Sequence, residues 1–433
     1  MKKAISWISL LIVLSIVLAI TACGSGKPKN AASTEESSRK AQGGEAIKLR
    51  IAWAGSQARH DATLKALDLY TKKNPNVSFE PEFSGFDGYY EKLTTQSAAK
   101  NAPDIMQIDT YNIVQYASRG QLADLSSVNV ADVDPNLVSA GKYKEQQVGI
   151  PLGKNATGFI YNKAVLDKLG VKLSENMTWD DLFKLARDIQ PKLEKGKYSL
   201  ADLSMDPDAY EMFQLSKGKG FAHTADGKFN IDHETWTEFN AILDQLRKEG
   251  VVPPADITVT YKQFDPKQDL LLNGTVLFLS TYAAGFGGFD NVSPNTFALT
   301  PAPSGEKSGG WLVPSQFFTV SSNSKHAEEA KKFLEWFIND TEAADALMLS
   351  RGVPVSAKVL EYVSPKLSGS DKAQIELLDK TAANANKFSS RPNGYWNFRM
   401  DFIKIMQEVA FGKTNPDLGF EAAQKKYAEL IKE

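Results

Sequence analysis

Cysteine occurs once in 433 residues, at Cys23, so no intrachain disulfide can form. Histidine occurs four times (His60, His223, His233, His326), and no two of them have the spacing of a zinc motif. No charge of one sign dominates: 50 Lys and Arg stand against 52 Asp and Glu, and no basic run exceeds two residues. A nucleic-acid binder would carry a basic excess, so that class is disfavoured. Nucleophile elbows and histidine-based triad phrases are missing as well. Only one apolar stretch is long, Ala4 to Ala22, which is 19 residues without a charge. Elsewhere the chain is that of an ordinary soluble globular protein, 42% hydrophobic and 24% charged. Its length suits two to three domains.

Lys2 and Lys3 precede the apolar stretch, which ends in Leu18-Ala19-Ile20-Thr21-Ala22-Cys23-Gly24. Small residues before a lone Cys, after an apolar core, resemble a bacterial lipobox. That resemblance implies a signal peptide over 1–22, removed in the mature protein, and a diacylglyceryl (and palmitate-type) lipid on Cys23. The bland alternative is an uncleaved signal-anchor with an incidental Cys. Removing 1–22 takes away two lysines and no acid, which leaves 48 basic side chains against 52 acidic. Residues 23–45 are mostly Gly, Ser, Lys, Ala, Glu and Gln, too polar to pack, and read as a flexible tether. The expected location is the extracytoplasmic side of a bacterial cell membrane, anchored by lipid.

From residue 46 the pattern alternates strands and helices. Ile47, Leu49, Ile51 and Trp53 alternate as a strand, Asp61 can cap a helix carrying Leu64, Leu67 and Tyr70, and Val77 to Phe83 and Asp104 to Asp109 mark two more strands. This is the start of a doubly wound α/β sheet. A second set follows, with strands over 148–152, 157–162, 198–203, 275–280, 296–300 and 317–321. Thr178 and Asp181 form a capping-box pattern ahead of helix 179–195, and Gly250 ends helix 233–249. Beyond about 325 the chain is nearly all helix.

Specific phrases sit on this frame: Asn101-Ala-Pro103-Asp104-Ile105, Gly120-Gln-Leu122-Ala-Asp124-Leu125, Gly149-Ile150-Pro151, Gly158-Phe-Ile-Tyr161-Asn162-Lys163 and Met177-Thr-Trp179-Asp-Asp-Leu182, then Leu272-Asn-Gly274-Thr-Val276, Gly309-Gly310-Trp311 and Arg351-Gly352-Val353-Pro354-Val355. In this order, behind a lipobox, they resemble the extracellular solute-binding proteins of family 1, the sugar-binding lipoproteins of ABC importers related to maltose-binding protein. Gln57-Ala58-Arg59-His60-Asp61 and Phe86-Asp87-Gly88-Tyr89 are similar to a subgroup linked to plant-polysaccharide oligosaccharides. The resemblance implies a two-lobed, type II periplasmic-binding-protein fold, each lobe a doubly wound sheet, with a helical C-terminal region. It places lobe one in 46–152 plus 301–343 and lobe two in 153–300 plus 344–433. Crossings would fall near 152–156, 299–301 and 340–350. It implies a cleft that closes on ligand, a monomer, ABC permease subunits as partners, and no cofactor or metal.

A sugar offers apolar C–H faces to aromatic rings and paired hydroxyls to planar polar groups. Residues of both kinds just past strand ends are the candidates: Trp53, Gln57, Arg59, Asp109, Tyr111, Lys154, Asn155, Tyr282, Trp311, Tyr395, Trp396 and Arg399. Trp53 could instead plug the core, Asp109 could cap the next helix, the Gly pair before Trp311 could be a plain turn, Tyr395 could face the core beside Trp396, and Arg59 could be a solvated surface charge. Arg59, Lys154 and Arg399 together would favour an acidic oligosaccharide. Asp206-Pro207-Asp208 reads as a turn. The expected function is capture of a sugar or oligosaccharide and its delivery, unaltered, to a permease. The alternative is an exported glycosidase or lyase, which would need a carboxylate pair.

Overall fold

The computed structural model of the chain describes residues 45–431, Asp87 excepted. Cys23, the signal segment and nearly all of the tether lie outside the described residues.

In chain order the strands of the two main sheets are β1 (Ile47–Ala54), β2 (Val77–Ser84), β3 (Ile105–Ile108), β4 (Ile150–Pro151), β5 (Lys154–Asn162), β6 (Phe278–Tyr282), β7 (Phe297–Pro301), β8 (Leu312–Pro314) and β9 (Phe317–Val320). The first sheet runs β2-β1-β3-β9-β4. β1 is parallel to β2 along its whole length, Ile47 opposite Val77 and Ala54 opposite Ser84, and parallel to β3 at Ile51 and Ala52. Strand geometry turns alternate side chains to opposite faces. Leu49, Ile51 and Trp53 therefore enter the core under helices Gln57–Lys73 and Ala327–Asn339. Ala52 and Ala54 enter the core that holds Tyr89, Leu93 and Ile113. The second sheet has β5 as its hub, antiparallel to β8 through residues 154–156, to β6 through 157–161 and to β7 through 158–162. Its core also takes in the C-terminal helices Tyr395–Ala410 and Pro416–Leu430.

This is the expected two-lobed α/β fold with a helical C-terminal region. The lobes share the chain differently from the expected boundaries. β7 and β8 both belong to the second sheet, so the return to the first lobe falls at Ser315–Gln316 and not at 299–301. Helix Thr341–Leu347 buries Ala343, Ala346 and Leu347 in the first core, and Ser356 bridges to Val133 there. Helix Gly369–Ala382 packs on β5 and β7, which moves the last passage to about 364–368. At the junction three stretches lie side by side. Ser315 N donates to Gly153 O (2.7 Å), Lys154 N to Val353 O (2.6 Å), and the Ser315 hydroxyl to Arg351 O.

Local chemistry explains the smaller differences. The first helix starts at Gln57, earlier than Asp61 would set it, because Ser56 Oγ accepts from Arg59 N. Residues 198–203 make one isolated bridge, Tyr198 to Val276, and no strand. Gln190 Oε1 takes the Ser199 N–H (2.8 Å), a side-chain partner that competes with a ladder. The Thr178/Asp181 capping box forms in both directions, and Gly250 ends its helix at φ +68°.

Candidate functional site

A cavity of about 700 Å³ lies where the two sheets meet. The first lobe supplies Arg59 and Phe86, just past the carboxyl ends of β1 and β2, and Ser315 and Gln316 come from the return passage. The second lobe supplies Asn155 of β5, the end of β6 at Ser280 to Tyr282, a loop and helix start at Asp202 to Asp208, the Thr258–Phe264 segment, and Arg399 of helix Tyr395–Ala410. Arg59, Phe86 and the end of β6 lie beyond strand carboxyl ends, as ligand sites of open α/β sheets do, while Asn155 stands at the amino end of β5. A second hollow, about 450 Å³, runs along helix Ala327–Asn339 between its lysines and glutamates and touches no strand end.

Of the expected residues, Arg59, Asn155, Tyr282 and Arg399 line this cavity. Tyr111 and Trp396 stand beside it. Tyr111 carries its hydroxyl to Asp208 Oδ1 (3.4 Å) and lies 5.3 Å from the Arg399 guanidinium and 5.9 Å from the Trp396 ring. Burial pushes the Tyr111 hydroxyl up to about 12, so it stays a donor. Gln57 is turned away to Asp61 Oδ1 (2.8 Å), on the exposed side of its helix. Lys154 holds the junction through its backbone and does not line the cavity.

Four expectations are corrected. Trp53 is fully buried; its indole N–H donates to His60 Nδ1 (3.0 Å) and its ring lies 5.0 Å under Phe83. Trp311 is equally buried, 6.3 Å behind Tyr282. Each of these large rings contributes more by filling core volume than by facing water. Asp109 folds back on its own turn, accepting from Tyr111 N and Asn112 N at 3.0 Å. Tyr395 packs against Arg391 (4.8 Å) and His223 (5.2 Å) in the second core.

The cavity also holds residues that the sequence reading passed over. Asp206, read as part of a turn, caps helix Pro207–Ser216 and accepts from the Ser280 hydroxyl. Burial and the neighbouring Asp208 carboxylate push its carboxyl above the usual range. Asp208 makes a two-bond pair with Arg399, Nη1–Oδ1 3.1 Å and Nη2–Oδ2 2.9 Å. Burial works against the Arg399 charge, but Asp208 more than offsets it and holds the guanidinium protonated. Phe86 and Phe264 are the exposed rings in the lining, 51% and 41% accessible, and Tyr261 of the second lobe also lines it. The signals were present, in the Asp-Pro-Asp helix start and in Phe86-Asp87-Gly88-Tyr89.

His223 lies in the same buried cluster as Tyr395. Its Nδ1 is 3.0 Å from Thr224 O, its Nε2 has no partner among the described residues, and burial together with Arg391 lowers it to about 4, against a partial opposing pull from Glu211. The unfolded chain then binds more protons than the folded one between about pH 6.5 and 4. Stability present above pH 6.5 should fall across that window by up to about 3 kcal/mol. Urea unfolding at pH 7.5, 5.5 and 4.5 checks this, and His223→Gln should flatten the slope.

The chain is similar to known proteins in both sequence and fold. The sequence model of the bacterial extracellular solute-binding protein family matches residues 65–375. The melibiose/raffinose/stachyose-binding protein of Bacillus subtilis is 24% identical over 69% of this chain and 72% of its own. The diacetylchitobiose-binding protein of Streptomyces coelicolor is 22% identical over 76% of each. A family 1 extracellular solute-binding protein from Alicyclobacillus acidocaldarius superposes with a TM-score of 0.69 at 28% identity, covering 90% of this chain and 99% of that one. An oligogalacturonide-binding protein from Yersinia enterocolitica, solved with saturated digalacturonic acid, has the same fold (TM-score 0.78, 23% identity, 89% and 98% covered).

Proposed function

Because the chain belongs to the bacterial extracellular solute-binding proteins, we propose that it captures a saccharide in the interlobe cavity and hands it unaltered to the permease of an ABC importer. The observation that carries this is the cavity's make-up. Phe86, Phe264 and Tyr282 offer faces for C–H surfaces, and Asn155, Asp206 and Gln316 offer planar groups for hydroxyl pairs. A volume of about 700 Å³ suits a small oligosaccharide. The named relatives that bind sugars support the same ligand class.

Contacts to both lobes at once would favour the closed form, since only differential affinity shifts such an equilibrium. Bending would centre on the passages at 152–154, 315–316 and about 364–368, with 351–353 packed against the first two. The body would act as a monomer held to the membrane through lipid on Cys23, which mass analysis of the purified lipoprotein would detect. The site residues we assign are Arg59, Phe86, Asn155, Asp206, Phe264, Tyr282 and Gln316, with Tyr111, Trp396 and the Asp208–Arg399 pair framing them.

Equilibrium dialysis against neutral and acidic di- and trisaccharides tests the reading. The expected result is saturable binding with the sugar recovered intact, weakened about tenfold or more by Phe86→Ala or Tyr282→Ala. Release of a shorter product would instead support a glycosidase or lyase.

A further inference from the structure

The charges around the cavity do not balance evenly from end to end. On the second-lobe side every carboxylate but one is paired: Asp208 with Arg399, and Asp202 with Arg247 at 3.0 Å. The remaining one, Asp206, is engaged by Ser280 and by the backbone of its own helix. The first-lobe side is the reverse. Arg59 donates only to neutral acceptors, Nε to Ser350 O (3.0 Å) and Nη1 to Ala54 O (3.2 Å) and Gln316 Oε1 (3.4 Å). Its Nη2 has no partner among the described residues. Behind it stands Arg351, 3% exposed, which donates to Gln107 Oε1 and Thr63 Oγ1 at 2.8 Å and leaves Nε unpaired. Among the described residues no carboxylate lies within ion-pair distance of either guanidinium.

Burial brings Arg59 down to about 10, and burial together with Arg59 depresses Arg351 further, so each guanidinium raises the cost of the other. Two neutral groups of the lining, Gln316 beside Arg59 and Asn155 at the start of β5, are also donors in excess. Asn155 and Gln316 are each 8% exposed, and both line the cavity. Asn155 Oδ1 is occupied by Ala156 N and Ala284 N, and Gln316 Oε1 by Arg59. That leaves Asn155 Nδ2 and Gln316 Nε2 with no acceptor among the described residues. Donors without acceptors, backed by two uncompensated cations, are what an oxyanion completes.

We propose that the first-lobe end of the cavity is an anion subsite, in which Arg59 Nη2 and Gln316, backed by Arg351 and joined by Asn155 from the second lobe, receive an acidic group of the captured saccharide, a carboxylate, sulfate or phosphate. The proposal rests on the saccharide reading above. It replaces the expected trio of Arg59, Lys154 and Arg399, of which only Arg59 faces the cavity without a counter-ion among the described residues. The second-lobe end, with Asp206 and Ser280, takes neutral hydroxyls.

Calorimetric titration of the full chain in detergent, with disaccharides in neutral, uronate, sulfated and phosphorylated forms, tests this. At least one acidic form should bind, with an affinity that falls as salt is raised, and the arm that binds identifies the acid. Gln316→Glu places a carboxylate beside Arg59 with little change of shape. It should weaken that acidic ligand at least tenfold and raise the thermal midpoint of the unliganded protein. Arg59→Gln should weaken the acidic ligand similarly. Binding of neutral sugars only, a change under twofold in both variants, or a lowered midpoint for unliganded Gln316→Glu would overturn the subsite and leave the saccharide reading standing. Binding of no sugar in any form would remove both.

Discussion

Glu211→Ala should destabilise the protein by about 3–5 kcal/mol, the usual cost of stranding one member of a buried ion pair. Glu211 and Arg391 meet through two parallel bonds, 2.7 and 2.6 Å, with side chains 3% and 1% accessible. Rings of Tyr395, Phe221, Phe388 and Tyr111 surround the guanidinium at 4.8 to 5.7 Å and keep water out. Arg391 Nε is already without a partner, so removing Glu211 leaves a buried cation with nothing to replace the carboxylate. Glu211 Oε1 also accepts the Ala222 N–H (3.0 Å), which would be orphaned too. Glu211→Gln keeps the shape and one acceptor and should cost less. Combining Glu211→Leu with Arg391→Met removes both charges and should recover much of the loss. Urea unfolding of wild type, Glu211→Leu, Arg391→Met and the double variant measures the cycle, with Glu211→Ala and Glu211→Gln unfolded alongside. A loss below about 1 kcal/mol for Glu211→Ala would show that water reaches Arg391.

The pair also marks where sequence reading stops. β1 was legible because alternation with period two is a local property, and so were the Thr178 capping box and the Gly250 stop. Lobe membership was not legible beyond residue 300, because helix Thr341–Leu347 has the same small-apolar face whichever core it covers. Among the candidate aromatics, Trp53, Trp311 and Tyr395 were drawn into the core, while Phe86 and Phe264, less conspicuous as letters, face the cavity. Arginine shows the limit most plainly. Arg399 and Arg59 both reach the cavity, but Asp208, 191 positions away in the chain, neutralises one, and among the described residues no carboxylate pairs with the other. Arg351 was visible only as part of a family phrase. Its importance comes from what surrounds it, two neutral acceptors and the faces of Phe318 and Phe337 at 4.8 and 5.6 Å.

Gly153→Ala should be the most damaging single-methyl change at the junction. A Cβ there would stand 2.0 Å from Arg351 O and 2.7 Å from Ser315 Oγ. Neither atom can move cheaply, since the Ser315 hydroxyl donates to Arg351 O and Ser315 N donates to Gly153 O. Relief requires the three stretches to part, which breaks the contacts that join the lobes. Overpacking of side chains costs about 1–3 kcal/mol, and a clash with backbone on a neighbouring segment belongs at or above the top of that range. Gly85→Ala is the matched control: nothing lies within 4 Å of its added Cβ, so stability should stay within about 0.5 kcal/mol. If bending centres on these stretches, Gly153→Ala should also change saccharide affinity at temperatures where it remains folded, because the spacing of the stretches sets how Arg59 and Gln316 approach Asp206 and Tyr282. Denaturant unfolding and sugar titration of both variants test the two parts separately. Wild-type affinity in a destabilised Gly153→Ala would place the bending elsewhere, and wild-type stability would show that the stretches separate freely.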